Sequence, residues 1–261
     1  MAVVSPTAAL GARKISAHGT AEAAWRQWLP AQPFAHATVA SLLGNAERLV
    51  VVAPHPDDEI LACGGLLAMQ AAQGGQGAQV LIVGLTDGEM SHAEVAGFDR
   101  AVLAAQRSAE RIEGAHRLGV RRDAVVPLRL PDAALSAHAD RLLTQLQPLF
   151  RPTDLVISTW RLDGHPDHDA CGRAVARACG AVGCGHLEAL VWMWNWASPG
   201  DPRVPWHRIV RLPLSPPAQA AKQHALAAHA SQLSPRSVRI GPVLGHDIQA
   251  CAARPLEYFL T

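Results

Sequence analysis

The chain has 261 residues, 49% hydrophobic and 17% charged, with 23 basic against 22 acidic side chains and a formal charge of +1. That length and apolar content suffice to bury a full core, and glycine and proline are too scattered for a collagen-like or disordered chain. The charge balance lacks the basic excess that a nucleic-acid or acidic-membrane partner requires, so neither is expected. The first 45 residues read as a helical extension, with helices over 20–29 and 34–43. A strand follows at Arg48-Leu49-Val50-Val51-Val52-Ala53. The next helix starts at Ile60, sets Leu61, Gly64, Leu67, Ala68 and Ala71 at helical spacing, and ends in Gly74, Gly75 and Gly77. A second strand spans 78–85. The helix after it carries Phe98, Val102, Ala105, Ala109 and Ile112 and stops at Leu118-Gly119. Further strands at 124–128, 154–160, 187–196 and 208–212 alternate with helices near 136–149, 169–180 and 216–230. Near-continuous Val/Ile/Leu runs mark strands covered on both faces. The alternation predicts a Rossmann-like, doubly wound α/β fold, with a mostly parallel sheet and helices on both faces. One domain is expected over 1–261, with its core at about 48–233 and a C-terminal tail over 234–261.

Five cysteines (Cys63, Cys171, Cys179, Cys184, Cys251) form an odd set without a CxxC pair. Reduced thiols are the simpler reading, against a disulfide scaffold or a Cys-rich zinc site. A basic segment leading into an apolar one is missing from the N-terminus, and no apolar run approaches the ~18 residues of a membrane span. A cytoplasmic protein is expected.

In doubly wound sheets ligands bind beyond the carboxyl ends of the strands. The first strand runs into His55-Pro56-Asp57-Asp58-Glu59, and the fourth into Arg161-Leu162-Asp163-Gly164-His165-Pro166-Asp167-His168-Asp169. Both clusters fall at the same end of the sheet and can converge. One His and one carboxylate from the first, with one His from the second, make the His₂-carboxylate set of a catalytic zinc, which keeps a fourth position open. Taken singly, each segment is equally a helix start, because carboxylates are favoured in a first turn. Their coincidence favours a site. Chain geometry leaves Asp57 and Asp58 both open as the ligand.

These two motifs, with Gly64-Gly65 after the first, resemble the LmbE / PIG-L family of zinc-dependent N-deacetylases, which act on N-acetylglucosamine-type conjugates. Supporting matches are Leu85-Thr86-Asp87-Gly88-Glu89, Arg107 with Glu110 before Leu118-Gly119, Leu130-Pro131-Asp132, and His229 with Ser231-Gln232 after Lys222; the likeness runs from about residue 49 to 233. The resemblance implies one Zn2+ per chain, with Fe2+ as another possible metal, held by His55, Asp58 and His168. It makes Asp57 the general base, and His165 a protonated oxyanion stabiliser oriented by Asp167. It implies a small amino-sugar substrate, and leaves the oligomeric state open. Neighbouring carboxylates such as Asp167 would keep His165 charged. Glu59 is read as a supporting or helix-start residue.

Substrate contacts are expected from Glu89, Arg107, Trp160 and Arg161. Asp87, Glu89 and His92 follow the second strand and should line the mouth. Asp87 stands where relatives often carry a basic residue, which speaks against an anionic aglycone. Arg107 and Glu110 are spaced either as a surface ion pair or, by the resemblance, as a pocket arginine held by its glutamate. Trp192, Trp194 and Trp196 alternate, so on a strand they would share one face, as core or as a sugar platform. His229 and Gln232 are read as pocket or packing residues, and His246-Asp247 as loop chemistry. The rival chemistry is a non-haem iron oxygenase using His55, Asp57 and His168, which calls for a β-barrel. A non-catalytic metal- or sugar-binding relative is the third reading. No GxGxxG turn follows the first strand, which excludes a dinucleotide site there.

Overall fold

The computed structural model describes residues 12–74 and 77–261. Among them, eight strands form one sheet: β1 (Ala35–His36), β2 (Arg48–Ala53), β3 (Gln79–Gly84), β4 (Val125–Pro127), β5 (Asp154–Thr159), β6 (Gly185–Ala189), β7 (Ile209–Pro213) and β8 (Leu256–Leu260). Their order across the sheet is β1-β7-β8-β6-β5-β2-β3-β4. Every pairing is parallel except those of β8, which runs antiparallel between β6 and β7. The helices are α1 (Glu22–Trp28), α2 (Val39–Leu43), α3 (Asp58–Ala71), α4 (Arg100–Arg117), α5 (Ala139–Leu146), α6 (Pro166–Val182), α7 (Met193–Trp196), α8 (Pro216–Leu226), α9 (Ala230–Leu233) and α10 (His246–Ala252). The expected doubly wound α/β architecture is present.

Alternation along the strands explains the layering. In β2, Leu49 and Val51 join one buried cluster with α3 and α8, while Val50 and Val52 join another with α5 and α6. In β5, Leu155 and Ile157 face the first cluster and Val156 the second. Burying each such side chain contributes roughly 1.5–3 kcal/mol, so the uninterrupted apolar runs are used on both sides of the sheet. The strand order reverses where β2 meets β5, and both His-Pro-Asp motifs leave the sheet at that switch point.

Three expectations need correction. The run expected as a strand over 187–196 pairs only to Ala189, then turns into α7. The buried Asp163 carboxylate accepts the amides of Val191, Trp192 and Met193, which pulls the chain out of the ladder. The expected helix over 34–43 is shorter, because Ala35–His36 pair with β7 and Thr38 caps α2 only afterwards. The expected tail over 234–261 instead supplies α10 and β8, and β8 with its alternating Phe259 and Tyr258 is wedged inside the sheet. His246 and Asp247 open α10, and Asp247 accepts the Glu22 amide of α1. The part of the N-terminal expectation that falls on residues 1–11 lies outside the described residues. None of the described helices is long and apolar enough to cross a membrane, and all five cysteines are free thiols.

Candidate active site

β2 delivers His55 to the switch point, and α3 starts at once, so Asp57, Asp58 and Glu59 follow in a single turn. That turn is strained: Asp57 has φ 125°, which a non-glycine residue adopts at a cost of about 1–3 kcal/mol. Asp58 folds back, its Oδ2 accepting the His55 amide at 3.0 Å. From β5, Gly164 turns with φ 93°, His165 caps α6, and Pro166 sits in the first turn, where its missing N–H leaves nothing unpaired. His168 then points from the first turn of α6 toward the acids of α3. Apart from Pro166, which is exposed, and His165, which is half-buried, these side chains are buried.

Asp58 Oδ2 lies 3.1 Å from His55 Nδ1 and 3.2 Å from His168 Nε2. Donors bonded at 2.0–2.1 Å around a tetrahedral ion stand about 3.3 Å apart. Asp58 Oδ2 therefore stands from each of the two imidazole nitrogens at nearly the spacing of two donors on one zinc-sized ion. His168 Nε2 is buried and out of line for a hydrogen bond with Asp58, so it has no hydrogen-bond partner. Its Nδ1 faces Asp163 Oδ2 at 2.8 Å, which commits Nδ1–H to that carboxylate and leaves Nε2 as the atom at which a bound metal would replace a proton. His55 Nε2 faces Asp132 Oδ1 at 3.2 Å and Asp167 Oδ2 at 3.3 Å, a matching carboxylate brace. The residues fit a divalent metal. His165 also brings a ring nitrogen within 4.8 Å of those of His55 and His168. Its Nδ1, however, accepts the Asp167 amide at 3.2 Å, so its free atom is Nε2–H, a donor rather than a ligand.

Electrostatics follow from burial and charge. Burial opposes ionisation of every group here, yet Asp58 is held well below the usual carboxylate range by His168 and His55. For His168, burial is outweighed by Asp58 and Asp163, which lift it to about 9; for His55, burial is likewise outweighed by Asp132, Asp167 and Asp58, which hold it well above the ordinary imidazole value. Burial pushes Asp57 up to about 7, against the pull of Arg107. His165 goes the other way: burial, with His55 and His168 beside it, lowers it to about 3. In the metal-free protein these surroundings disfavour the imidazolium expected at His165. Nor does the Asp167 carboxylate orient it. That carboxylate is fully buried and accepts the amides of Ala133 and Leu135, at 2.8 and 3.0 Å.

The site opens into a cavity of about 190 Å³ lined by His55, Asp57, Asp58, Arg107, Asp132 and His165, with Trp192 and Leu244 among its apolar walls. Of the expected substrate residues, Arg107 is present. Its guanidinium donates to Gly88 O, Pro56 O and Asp57 Oδ2, and a Cβ at Gly88, where φ is 67°, would collide with it. Glu110 does not hold Arg107; it accepts the amide and hydroxyl of Ser231 instead. Glu89 stands behind the lining, accepting the Asp132 amide at 3.0 Å. Trp160 is buried among Trp25, Met193 and Trp194, stacked on Trp196 at 6.3 Å, and does not reach the cavity. Arg161 is turned toward Glu188 at 2.8 Å, away from it. Of the tryptophan run, Trp194 is core and Trp192 is cavity wall. Gln232 lines the cavity, whereas His229 is fully buried without a hydrogen-bond partner for either ring nitrogen. Asp87 is tied to Ser108 Oγ at 2.6 Å.

Two further participants, Asp132 and Asp163, emerge only from the structure. Asp132 is legible in the sequence only as part of Leu130-Pro131-Asp132. Asp163 has the stronger signal, five residues before His168 at a strand end, but its three amide partners come from a segment 28 to 30 residues away.

The chain is similar to known proteins in sequence and in fold. The family described as PIG-L, GlcNAc-PI de-N-acetylase, matches residues 50–179, which contain both motifs. The 1D-myo-inositol 2-acetamido-2-deoxy-α-D-glucopyranoside deacetylase of Corynebacterium diphtheriae is 32% identical over 251 residues, spanning 80% of this chain and 84% of that protein. Among solved structures, N,N'-diacetylchitobiose deacetylase from Pyrococcus horikoshii superposes with a TM-score of 0.52 at 21% identity, over 74% of this chain and 73% of that one. A zinc-inhibited form of a teicoplanin deacetylase gives 0.56 at 20%, over 71% and 85%. At those identities the two structures speak for the fold. With the full-length relative, the matched motifs and the shared fold in agreement, this chain belongs to the PIG-L family.

Proposed function

We propose that the protein is a zinc-dependent amide hydrolase that removes the acetyl group from an N-acetylglucosamine-type conjugate in the cytoplasm. The observation that carries this reading is the spacing of Asp58 Oδ2 from both His55 Nδ1 and His168 Nε2, with the last atom buried and unpartnered. The deacetylase activity named for the Corynebacterium relative supports it. His55, Asp58 and His168 would hold the ion, with Asp132, Asp163 and Asp167 bracing the two imidazoles. When bound, zinc supplies Lewis acidity toward an amide carbonyl and toward water.

The remaining roles belong to the chain. Asp57, raised to about 7 and anchored through Oδ2 by Arg107, takes the proton of the attacking water and returns it to the leaving amine. His165 Nε2–H donates to the oxyanion as it forms; its neutral state suits a donor that need not shed a proton. Trp192 and Leu244 give the sugar an apolar wall. Among the described residues, Arg107 is the only Arg or Lys lining the cavity, and it is already engaged with Asp57, Pro56 and Gly88. The cavity therefore offers no free cation to an anionic aglycone, which favours a neutral one.

The test is acetate release from N-acetylglucosamine joined to a neutral polyol, compared with an anionic aglycone, alongside metal content. One zinc per chain with preference for the neutral conjugate is expected. A chain that takes up no metal, or a metallated one that releases no acetate from any such conjugate, overturns the reading.

A further inference from the structure

α3 carries the acids of the site, yet it is not one continuous helix. Cys63 has φ −151° and ψ 29°, outside helical values, one turn after Asp58–Glu59. A helical amide bonds to the carbonyl four residues back, so Gly65 N–H would point at Leu61 O. At this break both groups are taken up by two buried side chains from other elements. Glu257 of β8 accepts Gly65 N–H through Oε1 at 2.7 Å and Leu66 N–H through Oε2 at 2.9 Å. Lys222 of α8 donates to Leu61 O at 3.2 Å and to the same Glu257 Oε1 at 2.7 Å. Lys222 is 3% exposed and Glu257 2%. The small residues at 64 and 65 admit them: a Cβ on Gly64 would stand 3.1 Å from Lys222 Cγ, and one on Gly65 only 2.5 Å from Leu214.

A charged pair is costly to bury, and here it is spliced into one helical hydrogen bond. A continuous helix would tie the direction of its first turn to the rest of α3. The break frees that turn, which holds Asp58 and Leu61 of the cavity, and the spliced pair sets its direction anew from β8 and α8. We propose that Lys222 and Glu257 are positioning residues, which bridge the broken α3 and thereby place Asp58 for the metal site. The inference rests on the metal-site reading above for its consequence, while the bridge itself can be tested without metal.

Two double variants of equal charge separate positioning from mere burial. Lys222→Gln with Glu257→Gln keeps a donor for Leu61 O and an acceptor for Gly65 N–H; Lys222→Met with Glu257→Gln removes the donor. Hydrogen exchange of the amides of residues 58–66 is read on the metal-free proteins, and zinc affinity by competition with a chromophoric chelator. The cobalt(II) spectrum reports coordination geometry. The Gln/Gln variant, in which Leu66 N–H alone loses its acceptor because Gln offers one oxygen, is expected to stay within about threefold of wild type over 58–62 and in zinc affinity. The Met/Gln variant is expected to exchange at least tenfold faster over 58–62 and to lose roughly 10–100-fold in zinc affinity, with a changed cobalt spectrum. Equal exchange, affinity and spectrum in both variants and the wild type overturn the proposal. Should the Met/Gln variant not fold, the wild type decides alone: slow exchange at Gly65 and Leu66 supports the bridge, and exchange as fast as at a frayed helix end overturns it. A wild type that binds no zinc but passes the exchange test sinks the metal-site reading and the placement of Asp58 for metal, and leaves the bridge standing.

Discussion

The chain uses the tripeptide His-Pro-Asp twice, at the ends of neighbouring parallel strands, and puts the two copies to different work. After β2, His55 faces Asp58 and the aspartate of the triplet, Asp57, is held at φ 125° with its carboxylate on the cavity and on Arg107. After β5, His165 is the cap of a regular helix and lines the cavity, while the aspartate of the triplet, Asp167, is sunk completely and ties down residues 133 and 135. The residue immediately after each triplet makes the difference. Asp58 supplies a carboxylate after the first triplet and His168 an imidazole after the second, so a ligand set is completed only when the two are combined. On the proposed reading, identical local chemistry serves as base in one copy and brace in the other, according to strain and burial.

Removing the second copy's contribution should have the largest effect. His168→Ala is expected to drop metal content from about one ion per chain to near zero and to abolish acetate release, both read on the same preparation. Asp57→Asn, which spares the proposed ligands, is expected to retain the metal and lower kcat by about 10²–10⁴-fold. If Asp167→Asn did the same, the contrast between the copies would fail. It is expected instead to weaken metal affinity by about 10–100-fold, with a smaller fall in kcat once metal is saturating.

Asp57 also gives a pH signature in the metal-free protein. Its pKa rises from an ordinary 3.8 to about 7 on folding, so between those values the folded state binds a proton that the unfolded state does not. Stability from this group is complete below about pH 4 and is lost as pH rises through 7. Asp57→Asn should therefore raise the unfolding free energy by a few kcal/mol, in order of magnitude, at pH 8 and change it little at pH 4. Denaturant titrations at the two pH values check this. The smallest effect is expected at Arg161, whose side chain is 42% exposed and turned to Glu188. Arg161→Ala should leave kcat/KM unchanged and cost only about 1–3 kcal/mol of stability, because Glu188, whose side chain is 4% exposed, loses its charged partner.

Legibility tracked the range of the interactions. The metal-ligating candidates were readable because each lies in a cluster that begins at a strand end, where an apolar run stops against titratable groups. Asp167 and His165 were readable as members of the site but their surroundings were not: the amides of Ala133 and Leu135 claim the Asp167 carboxylate, and the Asp167 amide claims His165 Nδ1. Trp160 misled because a strand end predicts exposure to the cavity. The aromatic layer contributed by Trp25 and Trp194, more than thirty residues away on either side, buries it instead.

By itself, the sequence determined the alternation of strands and helices, the parallel core of the sheet and the residues that meet at its switch point, because periodicity and strand-end chemistry are local. Only the tertiary structure decided that the last strand would wedge between β6 and β7, that Asp163 would turn the chain out of β6, and that Lys222 and Glu257 would meet at Gly65. Those outcomes rest on buried polar groups finding partners that lie tens to nearly two hundred residues apart in the chain. No window of sequence can weigh such partners, since they are selected by the cost of leaving a buried donor or acceptor unpaired in the finished core.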